Sequence, residues 1–460
     1  MAKRKSIRKI ALWIFIVVLA AFIWIASGVF PAVSGYGSKN LCSSVYLQHR
    51  NPADVINEDL SSFPLSLGTF VVNEKDSSVT GSVWGFAKRK TIYRKGFGCT
   101  LIQGITEEEI RSQPVDIPDK PAINTENIAW PNGDKLPDTI AASFSRVKLN
   151  NAVDSVFARK DAEGNATHTR AIVILYNGEI VAEKYAAGFD KNTVMLGWSM
   201  SKSVTAALTG ILVKNGKLAV DSAAPVPSWK GTDKEKITLK NILQQTTGLD
   251  FLENYERPSE VTRMLFSEGN MAAFTEARPL KYTPGSVFSY SSGNSNVLSA
   301  IIRRTTGEKS YHAFPYDSLF YKINAYSFLL EPDASGTYIG SSYSYATARD
   351  FARFGLLYYN NGMWNGTQVL PPDWVKESVQ PCQADKLKQY GYQFWLNGLS
   401  ESDPGERQFP DVPGDMFYAD GYGGQGIYII PSKKLVVVRL GLHNIDANRF
   451  LKEVLDAFKE

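Results

Sequence analysis

Ser199 and Lys202 stand three residues apart in Gly197-Trp198-Ser199-Met200-Ser201-Lys202-Ser203, at the head of a strongly helical run, Val204 to Lys214. Residues i and i+3 share a helix face, so hydroxyl and amine are expected one above the other. A serine needs a nearby base to become a nucleophile. A lysine can be that base where burial and neighbouring positive charge lower its pKa. The first turn of a helix also carries partial positive charge, which suits a group that passes through an anionic state. Spacing alone does not suffice, because Ser6-Ile7-Arg8-Lys9 repeats it in a basic tail. Context separates the two. Ser199 precedes an apolar helix suited to burial.

Two further segments could complete such a site. Tyr290 and Ser292 lie in Phe288-Ser289-Tyr290-Ser291-Ser292-Gly293-Asn294, after a Pro284-Gly285 turn and before an apolar helix, Val297 to Arg303. A tyrosine there can relay protons. Asp420-Gly421-Tyr422-Gly423-Gly424-Gln425-Gly426 leads into a strand. Glycines at a strand start let a substrate approach the backbone. A backbone N–H there, paired with that of Ser199, would form an oxyanion hole.

The elements that must position these residues are partly readable. Ala171–Tyr176, Asn177-Gly178 and Glu179–Glu183 form a hairpin signal, since Asn and Gly both tolerate positive φ. Gly426–Ile430 and Leu435–Leu440, joined by Pro431–Lys434, read as a second hairpin. Helical spacing covers Val147 to Lys160, with Leu149, Val153 and Phe157 on one face, and a helix from Ala447 to Phe458 closes the chain. Strand pairs at both ends of the region with helices between imply an α/β domain, an antiparallel sheet covered by helices, from residue 138 to 460.

The rest of the chain is organised differently. Lys3, Arg4, Lys5, Arg8 and Lys9 precede an uncharged apolar run, Ile10 to Phe30. A helix of that length rises roughly 30 Å, enough to span a bilayer. The basic flank is expected in the cytoplasm and the remainder outside, at the inner (cytoplasmic) membrane. A cleaved signal peptide, with Ala32-Val33-Ser34 as its cleavage site, is the competing reading. Residues 1–35 are thus expected to be tail and transmembrane anchor, 36–125 a small β-rich region, and 126–137 a proline-rich linker. Alternation in Val79–Phe86 and Thr91–Arg94 supports the β-rich reading. Cys42 and Cys99 both fall in that region and are the plausible disulfide pair of an exported chain, leaving Cys382 free.

The three motifs in this order resemble the serine β-lactamase and penicillin-binding-protein superfamily. Thr238–Leu249 and Tyr345–Gly355 look like further segments of its class C-like members, and the resemblance covers residues 138 to 460. Within it the chain is most similar to amidases and esterases of the 6-aminohexanoate-dimer hydrolase type. The resemblance implies a β-lactamase-like sheet with a helical subdomain. It makes Ser199 the acylated nucleophile, Lys202 its base and Tyr290 a partner in proton transfer. Ser199 and Gln425 would supply the oxyanion N–H groups, with Gly423 and Gly424 beside them. Tyr422 would stand where other members have Lys, His or Trp. Two positions depart from the pattern. Ser292 replaces the usual Asn, and no lysine stands at the third motif to hold a β-lactam carboxylate.

The expected activity is hydrolysis of a small amide or ester through an acyl-enzyme, without metal or organic cofactor. A cell-wall D-Ala-D-Ala carboxypeptidase or β-lactamase is a second reading. A catalytically inert peptidoglycan- or peptide-binding module is a third. A Ser-His-Asp hydrolase has little to draw on. The chain holds four histidines and no Gly-x-Ser-x-Gly elbow, and only His443, after the last strand, is a candidate. The net charge of +4 over 460 residues, with no basic stripe, excludes a nucleic-acid surface. Neither a Cys-x-x-Cys pair nor a histidine cluster suggests a metal site.

Overall fold

The computed structural model describes residues 2–137, 144–161 and 164–458. The chain forms two compact units, Met1–Ser112 with Leu252–Asn270, and Gln113–Phe251 with Met271–Glu460.

The smaller unit is built on α1 (Ala2–Tyr46) and an antiparallel meander of β1 (Gly68–Asn73), β2 (Ser78–Val83), β3 (Phe86–Arg94) and β4 (Gly98–Leu101). The helix runs past the boundary expected at residue 35. Its later turns pack Phe30, Val33, Leu41 and Cys42 with Phe70, Val79, Val83 and Cys99 into one core. Small residues permit that approach, since a side chain at Gly81 would strike the Ser34 carbonyl. Cys42 and Cys99 are disulfide-bonded, Cα atoms 6.1 Å apart, and tie α1 to β4. The segment 252–270 contributes a helix, Glu260–Ser267, capped by Ser259.

The structure does not show the expected membrane span. Among the described residues no helix is long and apolar enough to cross a membrane. The side chains of residues 2–8, 18, 19, 21 and 23–25 of α1 lie outside the described set.

The larger unit centres on a six-stranded antiparallel sheet. Its strands are β5 (Thr169–Tyr176), β6 (Glu179–Tyr185), β10 (Trp395–Leu396), β11 (Phe417–Gly421), β12 (Gln425–Ile430) and β13 (Leu435–Gly441), in the spatial order β10-β11-β12-β13-β5-β6. Asn177 and Gly178 turn β5 into β6 with φ of +49° and +89°, as a two-residue hairpin requires. Ile430 pairs with Leu435 around the second turn. Val437 opposite Ile174 joins the N- and C-terminal halves of the sheet.

One face is covered by α2 (Arg146–Phe157) and a C-terminal helix, Ala447–Asp456. Leu149, Val153 and Val156 meet Phe450, Leu451 and Val454 over Ile172, Ile174 and Val437. Serine and aspartate caps start both helices, Ser145 Oγ accepting from Lys148 N and Asp446 Oδ1 from Arg449 N. The other face carries the helix Ala348–Tyr359, where a Cβ at Gly355 would lie 2.6 Å from Val436. Only glycine lets helix and sheet approach so closely. A smaller sheet, order β7-β9-β8, comprises β7 (Met195–Leu196), β8 (Leu329–Leu330) and β9 (Ser344–Ala346). The segment 126–137, expected as a linker, is held by Arg353, which donates to the carbonyls of Pro131 and Gly133 and to Asp134.

Candidate active site

Chain direction reverses sharply after β7. The Gly197 N–H donates to the Ser344 carbonyl at 2.8 Å, which holds the turn to β9. Trp198 then adopts φ +48°, a strained value for a bulky residue. Ser199 follows as the N-cap of α3 (Met200–Lys214), with φ −66° and no side-chain capping bond. Its hydroxyl is thereby left for other work. The neighbouring Ser201 does the anchoring. Its hydroxyl donates to the Trp198 carbonyl at 2.6 Å and accepts from the Ser344 N–H at 2.9 Å.

Lys202 lies one turn into α3 and is only 1% exposed. Nζ stands 2.9 Å from Ser199 Oγ, 3.1 Å from Ser292 Oγ and 3.0 Å from the Ser341 carbonyl. A neutral amine has two hydrogens and one lone pair. The ammonium donates to Ser199, Ser292 and Ser341, and once deprotonated an amine still held by Ser292 and Ser341 would turn its lone pair to the Ser199 hydroxyl. Ser292 opens α4 (Ser292–Thr306), capped by Ser291. The Tyr290 ring covers the amine, Nζ lying 4.9 Å from its centroid. Tyr290 is itself set between Trp395 and Tyr390, with ring centroids 5.3 and 5.8 Å away. Behind α4, Asn294 accepts from Thr247 Oγ1 at 3.0 Å and donates to Gln245 at 2.8 Å, which fixes the helix start to the Thr238–Leu249 segment.

The opposite wall is the turn between β11 and β12. Gly423 and Gly424 both have φ of +75°. Their carbonyls accept from the fully buried Arg439 guanidinium at 2.8 and 3.0 Å, and Arg439 also donates to Thr167 and Thr169. Burial pushes the Arg439 pKa down to about 10.

Gln425 is a scaffold residue. Its side-chain amide donates to the carbonyls of Tyr422 at 3.0 Å and Gly441 at 2.6 Å, and accepts from the Gly441 N–H at 2.9 Å. Gly421 and Tyr422 are the residues that meet the serine turn. A Cβ on Gly421 would run into the Gly197 carbonyl. The Tyr422 ring packs edge-on against Trp198, centroids 5.6 Å apart. Among the described residues, the N–H groups of Ser199 and Tyr422 donate to no backbone carbonyl. The structure therefore brings Ser199, Lys202, Tyr290, Ser292 and Tyr422 together, while Gly423, Gly424 and Gln425 build the turn that carries Tyr422.

Two titratable groups complete the description. Burial raises the Asp420 carboxyl to about 7, against the opposing pull of the Lys202 charge. His443 packs against His168, centroids 6.0 Å apart, and its pKa is lowered by burial and by that neighbour. No described contact joins His443 to Ser199. Asp420 and Arg439 are absent from the residues expected to matter. The available signals were an acid inside a glycine-rich turn and a lone charge in the apolar strand Val436-Val437-Val438-Arg439-Leu440.

Similar proteins follow this architecture. A 6-aminohexanoate-dimer hydrolase from Paenarthrobacter ureafaciens is 27% identical over 305 residues, covering 60% of this chain and 72% of that protein. Among solved structures, a hydrolase with promiscuous acyltransferase activity superposes with a TM-score of 0.53 at 15% identity, over 68% of this chain and 99% of that one. A family VIII carboxylesterase gives 0.52 at 15% identity, over 69% and 98%. The Beta-lactamase family model matches residues 154–449, well over half of the chain, from the last turn of α2 to the first turn of the C-terminal helix, and the protein belongs to that family.

Proposed function

We propose that this protein is a serine hydrolase that cleaves a small amide or ester through an acyl-enzyme on Ser199. One observation carries the reading: a buried lysine amine 2.9 Å from a serine hydroxyl that serves no capping role. Lys202 takes the hydroxyl proton as Ser199 Oγ attacks the substrate carbonyl. The N–H groups of Ser199 and Tyr422 receive the developing oxyanion. The tetrahedral species collapses, the carbonyl-to-leaving-group bond breaks, and the leaving nitrogen or oxygen takes the proton, with Tyr290 assisting. A water then gives a proton to the same base and attacks the acyl carbon, the bond to Ser199 Oγ breaks as Oγ takes that proton back from Lys202, and the acid is released.

The 27%-identical relative, named a 6-aminohexanoate-dimer hydrolase, favours an amidase or esterase reading over a β-lactamase or D-Ala-D-Ala carboxypeptidase. The third motif offers Tyr422 in place of a cation that could hold a carboxylate. An inert binding module would have no use for the lysine–serine pair. The test is intact mass after a fluorophosphonate serine probe, with Ser199→Ala alongside. One adduct on the wild type and none on the variant is expected. A folded wild type that takes no adduct would overturn the reading.

We also propose that α1 anchors the catalytic unit on the outer face of the inner membrane. Support comes from the uncharged run Ile10 to Phe30 behind five basic residues, and from exposed Ile10, Leu12, Trp13, Ile14, Phe15, Val17 and Phe22 on one helix. Trp84 and Phe86, at the tip of β2–β3, are exposed too, and Trp84 touches Phe30. Full-length protein should resist alkaline carbonate extraction, and a chain starting at Ala26 should not. Release of the full-length protein would sink the anchor.

A further inference from the structure

In the smaller unit the hairpin β2–β3 closes on a strained turn. Val83 pairs with Phe86, which leaves Trp84 and Gly85 as the two turn residues, with φ of +50° and +82°. Asn or Asp fills that first position at little cost, whereas a bulky ring there is an outlier. The strain is not repaid by burial, because Trp84 is 59% and Phe86 67% exposed. An outlier held at an exposed tip points to a use outside the fold.

Other segments of the unit reach the same end of the sheet. Gly68 opens β1 opposite Val83, and Phe63, 81% exposed, precedes the turn Leu65–Leu67 that enters it. Here α1 also leaves the core. The Phe30 ring meets Trp84 edge-on, centroids 5.4 Å apart, and meets Phe22, two turns further back, at 6.2 Å. A Cβ on Gly28 would lie 2.7 Å from Pro258, in a bend that exposes Tyr255. From Phe30 back to Ile10 the helix carries no charge and rises roughly 30 Å, the depth of a bilayer core. The exposed rings thus surround the point where the apolar run ends. The opposite end of the sheet is polar, with Asn73, Glu74, Lys75 and Asp76 in its turn, and there Tyr46 at the end of α1 donates to the Asn73 carbonyl.

We propose that this end of the sheet is a lipid-facing seat, an interaction surface that enters the headgroup layer of a phospholipid bilayer and sets the tilt of the smaller unit. The inference rests on α1 being the anchor. Aromatic rings collect at that depth because they combine a large apolar body with a tolerance for the wet boundary. A single helix leaves the unit free to swivel about the helix axis, and a second point of contact removes that freedom. The exposed charges nearby are of both signs, Lys88 and Arg257 beside Glu256. The seat therefore works by apolar insertion rather than by attraction to anionic lipid, and salt should not release it.

The experiment uses the full chain reconstituted into phosphatidylcholine vesicles that contain a nitroxide-bearing phospholipid. Phe86→Cys and Phe63→Cys each carry a fluorophore at the seat, and Lys75→Cys carries it at the opposite end of the sheet. The native cysteines do not compete, since Cys42 and Cys99 are bonded and Cys382 is buried. Labels at 86 and 63 should be quenched about 2-fold or more by the nitroxide lipid, as side chains about 5–10 Å inside the headgroup boundary would be. The label at 75 should be unaffected, and the pattern should be the same at low and high salt. Equal quenching at both ends, or none at 86 and 63 in a chain that floats with the vesicles, would refute the seat and leave the anchor standing. Labels that shift to the blue without lipid quenching would show a second copy of the chain on this surface and refute the seat as well. A chain that does not float with the vesicles would remove the anchor and this inference with it.

Discussion

The two walls of the site are built on opposite principles. The lysine wall is closed and works through side chains. Ser199, Lys202 and Ser292 are linked Oγ–Nζ–Oγ, and the Tyr290 ring lies over Nζ. The turn wall is open and offers backbone. Tyr422 is 62% exposed. Its rigidity is borrowed from Arg439 and Gln425, which never face the substrate. The serine–lysine pair can thus be set by one helix, whereas the backbone of the turn needs the buried scaffold of Arg439 and Gln425 to hold it.

The largest effect should come from breaking the closed wall. Ser199→Ala is expected to abolish turnover while the circular dichroism spectrum stays native. Lys202→Ala should lower kcat by at least ~100-fold, the scale of a lost general base. A smaller loss would show that another group takes the serine proton. On the open wall, Arg439→Leu is the comparable test. It strips the Gly423 and Gly424 carbonyls of their buried donors, and each such orphan costs about 1–3 kcal/mol. A destabilisation of about 3 kcal/mol with a fall in kcat/KM of about 10-fold is expected from urea melts and kinetics. Full stability with full activity would mean that the turn holds itself.

What the sequence made legible follows the same divide. The Ser199–Lys202 pairing is a matter of helical period, and Asn177-Gly178 announces its own turn, so both could be read locally. The C-terminal helix and α2 declare themselves through caps and apolar spacing. The turn wall could not be read this way. The family resemblance makes the Gln425 N–H an oxyanion donor, but what its side chain does depends on Gly441, sixteen residues away in the next strand. Asp420 becomes conspicuous only when its strand is seen beside Tyr428 and Arg439. The same holds for the smaller unit. Nothing in the order of residues places 252–270 with 1–112, and α1 continues to Tyr46 because its small residues, Ser34 among them, face a sheet that the pattern of α1 alone does not disclose.

Asp420 also predicts a stability effect with a definite sign. Its folded pKa is raised, from 3.8 to about 7. Below pH 4 it is protonated in both folded and unfolded chains and contributes nothing. As pH rises from 4 to 7 the unfolded chain releases the proton while the folded one keeps it, so stability falls, and above 7 the penalty is constant. Asp420→Asn should therefore stabilise the protein by about 1–3 kcal/mol at pH 8 and by nearly nothing at pH 4.5, read from chemical denaturation. The upper end of a three-unit shift, ~4 kcal/mol, is not expected, because part of the side chain is solvated. Equal melting of variant and wild type at both pH values would mean that the carboxylate finds a donor after all, and the turn wall would then be as closed as the lysine wall.

The smallest effect is expected at Tyr422, and it is the sharpest probe of the contrast. Here the ring is largely exposed and its one described ring contact is the edge-on one with Trp198, whereas the N–H is the group that faces the serine turn. Replacing the side chain by alanine leaves the amide in place. Tyr422→Ala should change kcat/KM by no more than about 3-fold, within the range of a lost aromatic contact of 0.5–1.5 kcal/mol. A loss beyond ~30-fold would show that the ring itself positions substrate or steadies Trp198 in its strained conformation. The open wall would then owe its function to a side chain as well, and the distinction between the two walls would rest on Gly421 alone.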